Sequence, residues 1–150
     1  EIMFFFAFFW AFFHAGLAPS IWVGAEWPPS GLSVFKPYGV PLLNTLILLT
    51  SGASVTWAHR AILGKIYDHA LGGFVTTIGL AILFILAQLQ EYVTAPYGIS
   101  DGIYGSAFYM LTGLHGVHVI VGMLFLTVCF IRLVQKQFSP EHHLGFEMAA

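Results

Sequence analysis

The sequence predicts an all-α, polytopic membrane helix bundle with about four transmembrane helices. Charged residues make up 8% of the 150 residues and hydrophobic residues 58%, whereas about 25% of an average soluble domain is charged. The charges are clustered, so four stretches contain none: residues 2–25, 37–59, 70–90 and 102–131. Each is longer than the roughly 18 residues that indicate a membrane span. None alternates polar and apolar residues as a barrel strand does, and backbone polar groups in lipid must pair internally, so these spans are expected to be helices.

These stretches predict one bundle over residues 1–150, with helices at about 1–17, 41–59, 70–92 and 103–134. The first helix carries phenylalanine on nearly every side, which favours contact with lipid or with another apolar helix. Small residues at Ser54, Gly73 and Gly113 favour close helix packing in the other three. The fourth helix is longer than a bilayer core and is expected to tilt or project. Proline, glycine and tryptophan fill the linkers, as is typical of the membrane interface.

The basic residues predict the orientation of the bundle. Arg60 and Lys65 follow the second helix, and Arg132 and Lys136 follow the fourth. Four of the five basic residues therefore lie on one side, which the positive-inside rule assigns to the cytoplasm or mitochondrial matrix. Because they lie at helix ends near the membrane surface, Arg60, Arg132 and Lys136 are also candidates to bind lipid phosphates.

Several classes of function are excluded by composition and motifs. A net charge of −2 with five basic residues gives no electrostatic surface for nucleic acid. Cys129 is the only cysteine, so neither an internal disulfide nor a thiolate metal site is expected. The sequence contains no nucleophile elbow, phosphate-binding loop or paired-carboxylate site. We therefore predict no catalytic residue in this chain.

The histidines raise the possibility of a haem or metal site. His115 and His118 are the only two expected well inside the membrane, and they share one face of the fourth helix. A haem bound by two histidines requires a second ligand at the same depth on a facing helix, and no other helix offers one. We interpret both as structural polar residues and predict no metal site in the chain. A membrane cytochrome that binds haem through one of them is the alternative.

Two carboxylates stand out. If the first helix begins before Glu1, this side chain is buried in apolar surroundings, where an ionisable group is a functional candidate by default. If Glu1 is a true terminus, it lies among headgroups. For the function of the chain, a transporter fragment that uses Glu1 as a proton site is a further alternative. Glu91, close to Gln88 and Gln90, is expected to be a structural polar residue near the outer end of the third helix.

Many segments match one known family in the order in which that family has them. The strongest match runs from Thr112 to Gly122, with the sequence TGLHGVHVIVG. The others include 8–12, 27–29, 41–45, 56–59, 91–92, 99–106 and 142–147. Over essentially all 150 residues the chain closely resembles subunit III of the haem-copper cytochrome c oxidases.

The resemblance implies helices three to six of a seven-helix subunit, without the first two and the last. It implies a non-catalytic subunit that packs against catalytic subunit I, subunit II, other oxidase subunits and any chains that supply the missing helices. Haem a and copper would lie in the partner subunits and none in this chain. The subunit would support assembly, hold phospholipid and sustain proton uptake in the mitochondrial inner membrane. The bacterial plasma membrane, and a related quinol oxidase, are the alternatives.

The resemblance also assigns roles to single residues. Glu1 matches the family's membrane-embedded carboxylate in its third helix. Arg132 matches a basic residue near bound lipid headgroups, whereas His115 and His118 match positions that we still interpret as structural. Arg60 departs from the pattern, because it stands where the family commonly has another histidine.

Overall fold

The computed structural model describes residues 2–137 and 144–148, and this part of the chain is helical and contains no strand. The elements are α1 (Ile2–Leu17), α2 (Val40–Leu63), α3 (Tyr67–Thr94), α4 (Gly102–Val134) and the short α5 (Leu144–Glu147), with one 3₁₀ turn at Ile21–Val23. The prediction of an all-α membrane fold is confirmed.

Within the described residues, three helices are long and apolar enough to cross a membrane: α2 with 24 residues, α3 with 28 and α4 with 33. Helix α1 is more apolar than these three but covers 16 described residues. Helix α2 continues to Leu63, beyond the expected end at His59, and α3 begins at Tyr67 rather than at Ala70. The expected ends were placed where the charge-free stretches end. Backbone hydrogen bonding continues past that point, because residues such as Arg60 favour a helix.

Helix α2 ends in a Schellman motif, the double hydrogen bond that closes many helix C-termini. The backbone N–H of Lys65 donates to Ile62 at 3.0 Å, and that of Ile66 donates to Ala61 at 2.9 Å. Lys65 has a φ of 58°, and Lys136, at the end of α4, has a φ of 57°. Glycine is the usual residue at this left-handed position, so both helices place a lysine where glycine is favoured.

The chain divides into two compact units, and the first comprises Glu1–Lys36 and Tyr92–Val117. Its interior is aromatic. The ring of Trp27 lies 5.6 Å from that of Phe12 and 5.3 Å from that of Tyr104. Tyr104 in turn contacts Tyr97 at 5.3 Å, and Tyr97 is 4% exposed. This packing fixes the loop after α1 against the start of α4.

The second unit comprises Pro37–Glu91 and His118–Ala150. Among the described residues of this unit, the buried core includes Ala58, Ala61, Ile62, Ala70, Phe74, Cys129, Leu133 and Phe146. Phe74 and Phe146 are fully buried, with ring centroids 4.8 Å apart. The short helix α5 therefore contributes its phenylalanine to the same core as α2, α3 and α4. That the chain forms a single transmembrane bundle stays a prediction.

Candidate functional site

A buried polar pair connects α2 and α3. The side-chain amide Nδ2 of Asn44 donates to Oε2 of Glu91 at 3.3 Å. Asn44 is 4% exposed and Glu91 9% exposed. The pair joins the first turns of α2 to the last turns of α3, so the two helices run antiparallel. The structure thus places Glu91 on a protein-facing surface.

Two further contacts join α2 and α3 along their length. The hydroxyls of Ser54 and Thr77 share a hydrogen bond of 2.7 Å, and both residues are buried. Further along, Gly73 of α3 lies directly against Ala58 of α2, where an added Cβ would approach the Ala58 Cβ to 2.7 Å. Small residues let the backbones come together, and polar side chains then join across the gap. The predicted small-residue packing is found here between α2 and α3.

Sequence reasoning did not single out Asn44. The signal was available, because Asn44 is a polar side chain one turn into a charge-free stretch, and such a group in a membrane span needs a hydrogen-bonding partner. The sequence does not reveal the relative register of α2 and α3. It is this register that makes Glu91 the partner of Asn44.

The predicted lipid-binding residues lie at helix C-termini. Arg60 and Arg132 occupy the last turns of α2 and α4, and Lys136 follows α4. All three are exposed. A helix C-terminus favours a nearby cation because the helix dipole is negative there. The guanidinium of Arg132 also lies beside Gly145 of α5, where an added Cβ would be 3.5 Å from Nη1.

The two histidines of α4 differ in environment. His115 is half-buried and meets the ring of Phe5 edge-on, with centroids 6.1 Å apart. His118 is exposed. Across residues 2–137 and 144–148, no group of three or more His, Cys, Asp or Glu side chains is placed to hold a metal ion. Glu1, the predicted membrane carboxylate, lies outside the described residues.

Helix α1 presents an apolar groove of about 510 Å³ along one side. The lining residues are Phe6, Phe9, Trp10, Phe13, His14, Leu17 and Ala18. Trp10 is 64% exposed. Exposed apolar faces of this kind are typical of surfaces that contact lipid or another apolar helix. Contact of the phenylalanine-rich first helix with either stays a prediction.

Comparison with known proteins decides the family. The sequence model of the family described as "Cytochrome c oxidase subunit III" matches residues 1–150. The chain belongs to the cytochrome c oxidase subunit III family. The resemblance seen in the sequence is thereby confirmed.

Curated relatives agree over the whole chain. It is 59% identical to cytochrome c oxidase subunit 3 of Prototheca wickerhamii, and 57% identical to the proteins of that name from Marchantia polymorpha and Triticum aestivum. Each alignment covers 100% of this chain and 57% of the relative. The chain therefore spans little more than half the length of these subunit III relatives.

Proposed function

We propose that this chain is a non-catalytic core part of subunit III of a cytochrome c oxidase, a proton-pumping respiratory terminal oxidase. Its role is to support assembly, to hold phospholipid and to sustain proton uptake by the catalytic subunit. The observation that carries the proposal is the family match over residues 1–150, together with relatives at 57–59% identity that are named cytochrome c oxidase subunit 3.

The partners follow from this assignment. The chain packs against oxidase subunits I and II, which hold haem a and copper, and against other oxidase subunits. The long apolar helices α2, α3 and α4 and the eukaryotic relatives support the mitochondrial inner membrane as its location. The basic ends of α2 and α4 then face the matrix, because cationic residues concentrate on the inner side.

Single residues take three roles in this proposal. Glu1 supports proton uptake; this role rests on its match to the family's membrane-embedded carboxylate, and an ionisable group inside a membrane is a functional candidate by default. Arg60, Arg132 and Lys136 bind lipid phosphates at the inner surface. Glu91, His115 and His118 are structural, and the hydrogen bond from Asn44 supports this role for Glu91.

A Glu1→Ala variant in the assembled oxidase tests the proposal. We expect an unchanged haem spectrum, because the chain holds no haem, and a lower rate of sustained turnover, because proton uptake is impaired. Glu26→Ala is the matched control, since Glu26 is an exposed carboxylate of the loop after α1. Unchanged turnover in the Glu1 variant would contradict the proposed role of Glu1, and an altered haem spectrum would contradict the non-catalytic assignment.

A further inference from the structure

The buried pair of Asn44 and Glu91 leaves one oxygen without a hydrogen-bond donor. The bond from Nδ2 of Asn44 to Oε2 of Glu91, at 3.3 Å, uses one half of each polar group. The other half of the Asn44 amide, the oxygen Oδ1, is buried and accepts no hydrogen bond from residues 2–137 or 144–148. Oε1 of Glu91 is also buried. The large majority of buried polar atoms in folded proteins have a partner, so Oδ1 requires a donor at this place.

The protonation state of Glu91 decides whether the pair itself can supply that donor. A carboxylate has two acceptor oxygens and no donor, so an ionised Glu91 cannot bond to Oδ1 of Asn44. A protonated carboxyl has an O–H group, and it can accept from Nδ2 with one oxygen while it donates to Oδ1 with the other. The amide nitrogen and oxygen have nearly the same shape, and exchanging their positions leaves the same requirement for one more donor.

The basic residues of α2 and α4 lie at the opposite end of this helix unit. Along α2, the first charged residue after Asn44 is Arg60, sixteen positions away, or about 24 Å at a helical rise of about 1.5 Å per residue. Along α3, the last charged residue before Glu91 is Asp68, twenty-three positions away, or about 35 Å. On α4, Arg132 lies in the last turn, at the same end as Arg60. Neither α2 nor α3 therefore brings an arginine or lysine to a carboxylate at position 91.

The other polar groups around the pair are neutral or exposed. Gln88 and Gln90, close to Glu91 on α3, are uncharged amides. His118, where the α4 part of the second unit begins, is exposed. Tyr38 and Lys36, which precede α2, are exposed as well. Transfer of a carboxylate from water into a protein interior is costly, and a proton on the carboxyl removes that cost.

We propose that Glu91 holds a proton and forms a reciprocal acid–amide pair with Asn44. In this pair the Asn44 amide donates to one carboxyl oxygen, and the carboxyl O–H donates to the Asn44 amide oxygen. The proton is then part of the α2–α3 contact, because without it a charge is buried and Oδ1 keeps no donor from Glu91. The inference goes beyond the proposed oxidase role and is independent of the role proposed for Glu1.

The test is infrared spectroscopy of the assembled oxidase at neutral pH, in H2O and in D2O. A protonated carboxyl has a C=O stretching band that is separate from the carboxylate bands and that shifts in D2O. Spectra of the unmodified oxidase are compared with those of Glu91→Gln, which removes the carboxyl, and of Asn44→Ala, which removes its amide partner. Glu26→Gln is the control, because Glu26 is an exposed carboxylate of the loop after α1.

We expect Glu91→Gln to lose one D2O-sensitive carboxyl band, Glu26→Gln to keep it, and Asn44→Ala to shift it to higher frequency because the C=O group loses its hydrogen bond. Loss of carboxylate bands instead in Glu91→Gln would overturn the proposal and indicate an ionised Glu91, with water as the donor to Oδ1. An unshifted band in Asn44→Ala would overturn the pairing.

Assembly of the Glu91→Gln variant is a second readout. It should assemble normally, because a glutamine amide offers the same acceptor and donor as the neutral acid, and failure to assemble would count against the proposal. Co-purification of the other oxidase subunits with the unmodified chain is recorded separately, so failure of the acid–amide pair and failure of the oxidase assignment are distinguishable.

Discussion

Asn44 on α2 and Glu91 on α3 are joined by a side-chain hydrogen bond of 3.3 Å between two buried residues. In an apolar surrounding, two polar side chains that face each other fix both the register and the partner of each helix. This pair, the Ser54–Thr77 bond and the Gly73–Ala58 contact lie along one antiparallel helix interface. Changes along this interface are therefore expected to affect stability rather than redox chemistry.

The first prediction concerns this pair. Asn44→Ala removes the hydrogen bond to Glu91 and should destabilise the chain by about 1 kcal/mol, since membrane hydrogen bonds average about 0.6 kcal/mol and reach about 1.7. The measurement is the thermal midpoint of the oxidase in detergent, and the signal monitored is the dissociation of this chain. Thr50→Ala is the control, because the exposed Thr50 hydroxyl bonds only to Leu46 of its own helix, at 2.8 Å. Equal effects of the two changes would contradict a role for the pair.

The second prediction concerns the closest helix contact. Gly73→Ala places a Cβ about 2.7 Å from the Ala58 Cβ, so α2 and α3 must separate, at a cost of about 1–3 kcal/mol for overpacking. Gly79→Ala on the same helix is the matched control, because an added Cβ there meets nothing within 4 Å. We expect a lower thermal midpoint for the first variant only. A similar decrease of the thermal midpoint in both variants would contradict a specific role for the contact between Gly73 and Ala58.

The third prediction uses the single cysteine as a reporter of α5. Cys129 is 3% exposed, and its thiol lies 3.6 Å from the carbonyl oxygen of Gly145. A maleimide should therefore label it slowly in the native oxidase. Phe146→Ala removes a fully buried ring from the same core, a change that costs about 3–5 kcal/mol in well-packed cores, and should accelerate labelling several-fold. Met148→Ala is the control, since Met148 is 78% exposed. Fast labelling of the unmodified chain would contradict the packing of α5.

The fourth prediction concerns the turn that ends α4. Lys136→Gly and Lys136→Ala both remove the charge, but only glycine adopts a φ of 57° without strain. The glycine variant should therefore be about 1 kcal/mol more stable than the alanine variant. Their thermal midpoints, compared in the same detergent, check this difference. An alanine variant as stable as the glycine variant would show that the turn relaxes away from the left-handed conformation.

The sequence predicted the helices because the membrane imposes a length on apolar, charge-free segments. Helices α2, α3 and α4 each contain such a segment, and the resemblance carried by Thr112–Gly122 pointed to the correct family. The ends of α2 and α3 were less predictable, since Arg60 and Asp68 mark the edge of the hydrocarbon layer, whereas helical hydrogen bonding continues past it.

The candidate site was less accessible from sequence. Pairing of Asn44 with Glu91 depends on the register between two helices, which no local pattern encodes. Burial of Phe146 depends on α5, a four-residue helix too short to produce a periodic signal. The roles proposed for Glu1, Arg60, Arg132 and Lys136 stay predictions.

The central claim is that this chain serves an oxidase without holding its redox centres. It is tested most directly by purifying the chain from its native membrane in mild detergent, with reduced-minus-oxidised spectra recorded before and after the partner subunits are stripped away. We predict that oxidase subunits co-purify, that a-type haem absorbance follows them, and that the stripped chain is colourless. Haem absorbance that stays with the isolated chain would contradict the account and favour a membrane cytochrome that binds haem through His115 or His118.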